Sequence, residues 1–251
     1  MPDNGYAKID IRDGVGTLAF FHPKKNSLPG TLLKEIAEGI RSLGEAGNAR
    51  VVVLRSDGEG PFCAGASFDE LLAIRNFEQG KEFFMGFARL ILAMKKCPKP
   101  IIARVQGKAV GGGVGVVAAA DYALAAASAA LKLSELAIGI GPFVIGPAVE
   151  RKIGRGNFSA LALDTEWRDA NWAKTHGLYS EVFGGAAELD AAVAALAEKL
   201  AKFNPEALAK LKTVFWEGTE HWDELLEARA EMSGRLVLSD FTRSAIAAFK
   251  Q

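Results

Sequence analysis

The sequence has 251 residues, 49% of them hydrophobic and 24% charged. That suits one large globular domain, or one with a smaller appendage, and excludes a disordered chain. Thirty Lys plus Arg balance thirty Asp plus Glu, so electrostatic capture of nucleic acid or an anionic membrane is not expected to dominate. Cys63 and Cys97 stand far apart without a CxxC pair, which argues against a disulfide framework or a thiolate zinc site. The opening segment carries no secretory pattern, and no apolar run reaches the ~18 residues of a membrane span. The expectation is a cytoplasmic protein with no metal, membrane or nucleic-acid partner.

The first predicted elements are two alternating runs, Tyr6 to Ile11 and Val15 to Phe21, joined by Arg12-Asp13-Gly14. They read as a β-hairpin with an Asp-Gly turn. Thr31 to Leu43 places Leu32, Leu33, Ile36, Ile40 and Leu43 at helical spacing, predicting an amphipathic helix on the sheet. Arg50 to Arg55 (RVVVLR) is a β-branched run of the kind buried on both faces. Helices follow within residues 67–75 and 77–96, then strands at Ile101 to Val105, Tyr122 to Ala126 and, briefly, Ala130 to Leu133. Strands alternating with helices predict an α/β fold.

Past Gly184-Gly185 the pattern is helical: Ala186 to Phe203, Pro205 to Trp216, Trp222 to Leu238 and Phe241 to Lys250. Asn204-Pro205 supplies an N-cap and a first-turn proline. The expected organisation is an α/β core over residues 1–185 and a helical region over 186–251. The helical region is too small to bury its own helices and must pack on the core or on a neighbouring subunit.

Two glycine-rich turns and one acid are the candidates for chemistry. The first turn, Gly58 to Ala66, runs into Ser67 and Glu70 at capping-box spacing. A helix start there offers free N–H groups and partial positive charge, although a plain strand-to-helix turn fits the same pattern. The second turn, Gly107-Lys108-Ala109-Val110-Gly111-Gly112-Gly113, precedes an apolar helix. Consecutive glycines mean close backbone approach, either to a ligand or to another helix. Within it, Gly113 to Ala118 fits GxGxxA, and Glu135 follows at the distance of a ribose-binding acid, so an NAD-dependent oxidoreductase is one alternative. Against that, Gly107 to Val110 separates the motif from its strand. Glu135 itself stands among apolar residues at a strand end, where a carboxylate near neutral pH can act as a base. His22, His176 and His221 are scattered, without a Ser or Cys nucleophile motif to make a triad.

Together these segments resemble the crotonase (enoyl-CoA hydratase/isomerase) superfamily. His22-Pro23-Lys24-Lys25-Asn26-Ser27-Leu28 is similar to its RP-x-x-x-N-A-L segment, and Phe62 to Ala66 to its F-x-A-G-A-D turn, with Ser67 at the Asp. Gly107 to Gly113 resembles its G-x-A-x-G-G-G turn, Asp121 falls at a frequent Asp, and Ala248-Phe249-Lys250 resembles its tail. The resemblance implies an α/β, crotonase-like core of repeated ββα units with a helical trimerisation region, assembled as a homotrimer or dimer of trimers. It implies an acyl-CoA thioester substrate, with coenzyme A part of that substrate and no separate cofactor.

The same resemblance places an oxyanion hole on the N–H groups of Ala66 and Gly112 and an acid/base at Glu135. Substrate contacts are expected at Ala64, Phe68, Leu71, Gly111, Gly115 and Phe143. Lys24 and Lys25 could pair with CoA phosphates, and Phe249 and Lys250 could reach a neighbouring subunit's nucleotide. Family hydratases usually carry a second glutamate where this chain has Gly115, and dienoyl-CoA isomerases a further Asp near Phe143. A single carboxylate suits a proton shuttle, hence Δ3,Δ2-enoyl-CoA isomerisation. A one-glutamate hydratase, with an acyl group or water in the space at Gly115, is one alternative. A non-catalytic CoA-binding or scaffold member is another.

Overall fold

Residues 5–248 are described by the structure, a computed structural model. The hairpin forms as β1 (Tyr6–Arg12) and β2 (Val15–Phe21), paired antiparallel with Arg12 opposite Val15. Asp13 and Gly14 both take positive φ, 49° and 81°, the geometry that suits a tight hairpin to strand twist. After α1 (Gly30–Glu45), strands β3 (Val51–Ser56), β4 (Ile101–Val105), β6 (Tyr122–Ala126) and β8 (Glu181–Phe183) extend the sheet in parallel. The sheet order is β1-β2-β3-β4-β6-β8.

Period-two geometry sorts the strand residues between two layers. Leu18, Val52, Leu54, Ala103 and Ala125 face α1, α3 (Phe77–Lys96) and α4 (Gly112–Ala119). Val51, Val53, Ile102, Leu124 and Ala126 face α7 (Ala186–Ala201), which meets them with Leu189, Val193 and Ala197. The i, i+4, i+8 spacing of those three is one helix stripe. The helices after Gly185 are therefore not a body of their own: α7 completes the sheet's second layer.

Three further helices follow, α8 (Pro205–Phe215), α9 (Trp222–Leu236) and α10 (Asp240–Ala248). A buried ion pair docks α8: Lys212 Nζ lies 2.6 Å from Asp121 Oδ2, which also accepts the Ile101 N–H at 2.7 Å. Trp216 Nε1–H donates to the other Asp121 oxygen at 3.3 Å. α9 lies along α3, closest where Gly80 and Gly234 cross: a Cβ on Gly234 would sit 2.7 Å from Lys81 N.

Three features depart from the sequence expectation. The strand expected at Ala130 to Leu133 is only β7 (Leu131–Lys132). It pairs outside the main sheet with β5 (Ala109–Val110), itself unpredicted. Between residues 146 and 183, where no element was assigned, lie α5 (Gly146–Asp164), α6 (Ala170–Thr175) and β8. α5 breaks at Gly154, whose φ of 78° lies outside helical space. No helix among the described residues is long and apolar enough to cross a membrane.

Candidate active site

Backbone hydrogen bonds bring the two glycine turns and the strand-end acid together. Leu28 N–H donates to Gly65 O at 2.8 Å, and Ser67 N–H to Leu28 O at 3.0 Å, so the segment after Asn26 holds the first turn. Buried Asn26 reinforces this, its Nδ2 donating to Pro61 O at 2.9 Å. Val110 N–H then donates to Cys63 O at 2.9 Å, tying the second turn to the first. Gly111 N–H donates to Lys132 O at 2.9 Å, tying the second turn to β7 and so to Glu135.

Two glycines in this assembly have a stated geometric reason. Gly65 sits at φ 91° and Gly111 at φ 53°, left-handed backbone that disfavours any Cβ. A Cβ at Gly111 would also stand 2.8 Å from Glu135 Oε1. α2 (Phe68–Ala73) starts after Ser67, whose Oγ accepts the Glu70 N–H at 3.3 Å. Glu70 Oε2 in turn accepts the Gly30 N–H at 2.9 Å, so Ser67 and Glu70 link the start of α2 to the start of α1.

α4 begins at Gly112, so that residue's N–H has no helical acceptor. Neither it nor the Ala66 N–H has any hydrogen-bond acceptor among the described residues. Both residues line one cavity of about 270 Å³. Glu135 lines it too, at the start of a 3-10 turn (Leu136–Ile138). The residue is half-buried, but its Oε2 is fully enclosed and has no hydrogen-bond partner among the described residues. Burial pushes the Glu135 carboxyl up to about 7, against smaller lowering by the backbone N–H groups of Glu135 and Ser134.

Apolar side chains form most of the remaining wall, among them Phe68 and Leu71 of α2 and Phe83, Phe84 and Phe87 of α3. Phe87 packs against Gly112, where a Cβ would overlap its ring. α10 packs against the Glu135 turn: a Cβ on Gly139 would meet Thr242 Oγ1 at 2.7 Å. The C-terminal helices thus brace the residue expected to do chemistry.

Of the residues singled out in the sequence, Ala64, Ala66, Phe68, Leu71, Gly111, Gly112, Glu135 and Phe143 line this one cavity. Gly115 does not, which corrects its assignment as a substrate contact. Its missing side chain leaves no space, because a Cβ there would lie 2.5 Å from Ile145 Cγ2. Lys24 and Lys25 stand outside the cavity on an exposed turn, Lys24 ion-paired with Asp69. Phe249 and Lys250 lie outside the described residues.

The GxGxxA alternative is also corrected. Gly113 and Gly115 lie inside α4, and a Cβ on Gly113 would sit 2.7 Å from Cys63 O. Those glycines permit packing rather than cradle a nucleotide. Sequence reasoning missed Phe83, Phe84, Phe87, Ile145 and Ser233 as lining residues. Only Ser233 left a signal: it interrupts the stripe Leu226, Ala230, Val237, all buried.

The sequence model described as Enoyl-CoA hydratase/isomerase matches residues 10–250. A peroxisomal Delta(3,5)-Delta(2,4)-dienoyl-CoA isomerase of Arabidopsis thaliana is 27% identical over 239 residues, covering 89% of this chain and 84% of that protein. A mitochondrial methylglutaconyl-CoA hydratase of Rattus norvegicus is 32% identical, covering 72% of this chain but only 58% of that protein. The crystal structure of an enoyl-CoA hydratase from Mycobacterium avium superposes with a TM-score of 0.87 at 29% identity, covering 97% of this chain and 95% of that one.

Proposed function

Because the chain belongs to the enoyl-CoA hydratase/isomerase family of the crotonase superfamily, we propose that it converts a 3-enoyl-CoA to the conjugated 2-enoyl-CoA. The observation that carries this reading is the lone carboxylate. Glu135 is the one ionisable side chain among the described residues lining the cavity, and Ile145 fills the place of a second glutamate at position 115.

In this reading Glu135 removes a proton from C2, and the C–H electron pair moves into the thioester to give a dienolate. The Ala66 and Gly112 N–H groups receive the new negative charge on the carbonyl oxygen; one such preorganised donor is worth roughly 2.7–4 kcal/mol of barrier. The protonated Glu135 then delivers the same proton to C4, leaving the double bond between C2 and C3 and the carboxylate restored. A carboxyl held at about 7 serves both halves near neutral pH, being neither too weak a base nor too weak an acid.

The assay is turnover of trans-3-hexenoyl-CoA and crotonyl-CoA, followed by absorbance and mass. Conjugation of the first without mass change is expected. Hydration of crotonyl-CoA without isomerisation would overturn the reading in favour of a one-glutamate hydratase. Retained CoA binding with no turnover of either would leave a non-catalytic member.

The assembly proposed is a homotrimer or dimer of trimers. Leu163 (71% exposed), Phe241 (68%), Val214 (55%) and Phe203 (46%) support it as apolar side chains left exposed among the described residues. Sedimentation velocity at micromolar protein is expected to show a trimer or hexamer, and a monomer would refute it.

A further inference from the structure

Three buried side-chain polar atoms lack a hydrogen-bond partner among the described residues: Arg55 Nε, Glu135 Oε2 and Ser233 Oγ. Two of the three belong to residues lining the same cavity. Glu135 is accounted for by the proposed proton transfer. Ser233 is not. It lies on α9, an element that contributes none of the reacting groups, and is 1% exposed.

A serine inside a helix ordinarily satisfies its hydroxyl by bonding back to a carbonyl one turn earlier. Ser233 does not. It also occupies a stripe position where Leu226, Ala230 and Val237 are apolar, so alanine would satisfy helix packing without the unpaired hydroxyl. Burying an unpaired hydroxyl is unfavourable unless something pairs with it. No described residue pairs with the Ser233 hydroxyl, and Phe83, Phe84 and Ile140 on the same cavity wall have no polar side-chain atoms.

We propose that Ser233 Oγ recognises a neutral oxygen, a ketone or hydroxyl, carried on the acyl chain away from the thioester. The inference rests on the acyl-CoA reading above and adds a substrate class to it: oxygenated rather than plain alkyl acyl groups. A carboxylated chain fits less well, because no Lys, Arg or His lines the cavity to pair with a second negative charge. The pairing is selective because a site built to hydrogen-bond a substrate group is left with an unmet polar atom when the group is missing.

The test measures binding rather than turnover, so it does not depend on which reaction Glu135 performs. Dissociation constants are measured by calorimetry for heptanoyl-CoA and its 4-oxo, 5-oxo and 6-oxo derivatives, on wild type and on Ser233→Ala. At least one oxo ligand is expected to bind wild type more tightly than Ser233→Ala by about fivefold, the factor a net neutral hydrogen bond gives. Heptanoyl-CoA is expected to bind the variant as tightly or more tightly. Equal loss for all four ligands, or no loss for any, would overturn the role of Ser233 while leaving the acyl-CoA reading intact. Failure of all four to bind wild type would overturn both. Ser233→Thr, which keeps a hydroxyl, is expected to retain part of the oxo preference; a preference as absent as in Ser233→Ala despite folded protein would count against the proposal.

Discussion

Glu135 is held at about 7 by burial, against an ordinary value of 4.5, and that shift has two separable consequences. As the proposed base it must be ionised, so kcat/KM is expected to rise with pH toward 7 and level off above it. Stability should move the other way. Between pH 4.5 and 7 the folded protein keeps a proton that the unfolded chain releases, so unfolding free energy falls as pH rises through that window. The drop is on the order of 3 kcal/mol. Glu135→Gln is therefore expected to lose turnover by at least about a hundredfold while keeping CoA affinity. Relative to wild type it should gain stability as pH rises from 4.5 to 7, which urea titrations at several pH values would read. Equal pH slopes for the two proteins would rule out a buried, raised carboxyl. Near-normal turnover would remove Glu135 from the chemistry.

The elements matter through two close approaches of backbone. At the second glycine turn, Gly111→Ala introduces a Cβ 2.8 Å from Glu135 Oε1 at a φ of 53°. The carboxylate must move, and misplacement of about an ångström costs roughly a hundredfold in rate. Single-turnover kinetics are expected to show that loss in the chemical step with acyl-CoA affinity little changed. At the α3–α9 crossing the atom in the way belongs to the main chain, so it cannot rotate aside. Gly234→Ala places a Cβ 2.7 Å from Lys81 N, and helix separation is expected to destabilise by about 1–3 kcal/mol. Gly156→Ala, where nothing lies within 4 Å of the new Cβ, is the control: by helix propensity it should be neutral or stabilising by up to about 1 kcal/mol. Thermal melts of the pair check this, and equal melting temperatures would deny the close crossing.

For the whole molecule, the C-terminal helices beyond α7, which covers the sheet, are joined to the α/β core at two places with different functions. α9 and α10 wall and brace the cavity, whereas α8 is docked by charge. Lys212 and Asp121 are 4% and 6% exposed at the side chain, so removing one partner leaves the other charge buried. Lys212→Met is expected to cost about 3–5 kcal/mol, and the double change with Asp121→Asn less than the sum of the singles. Chemical denaturation measures both, and additive losses would show that the pair is not coupled. Lys152 adds to this region by donating to Asp121 O at 3.1 Å, its own ammonium pulled down to about 8 by burial.

Much of this architecture follows from short-range pattern. The Arg12-Asp13-Gly14 turn, the RVVVLR strand, the stripe Leu32 to Leu43 and the cap at Asn204 each carry a local pattern from which the element can be read. The glycine turns and Glu135 were legible as well, because left-handed backbone and an acid in apolar surroundings leave marks in the sequence. Elements of two or three residues, β5, β7 and β8, were not, since strands so short have no period to read and exist only through their partners. Gly115 shows the same limit at one residue. A missing side chain reads as space in a sequence, but Ile145, thirty positions later, is packed into it. Local spacing thus marked the longer elements, the glycine turns and Glu135, whereas the shape of the cavity came from long-range packing, in which the space one residue gives up is filled by another far along the chain.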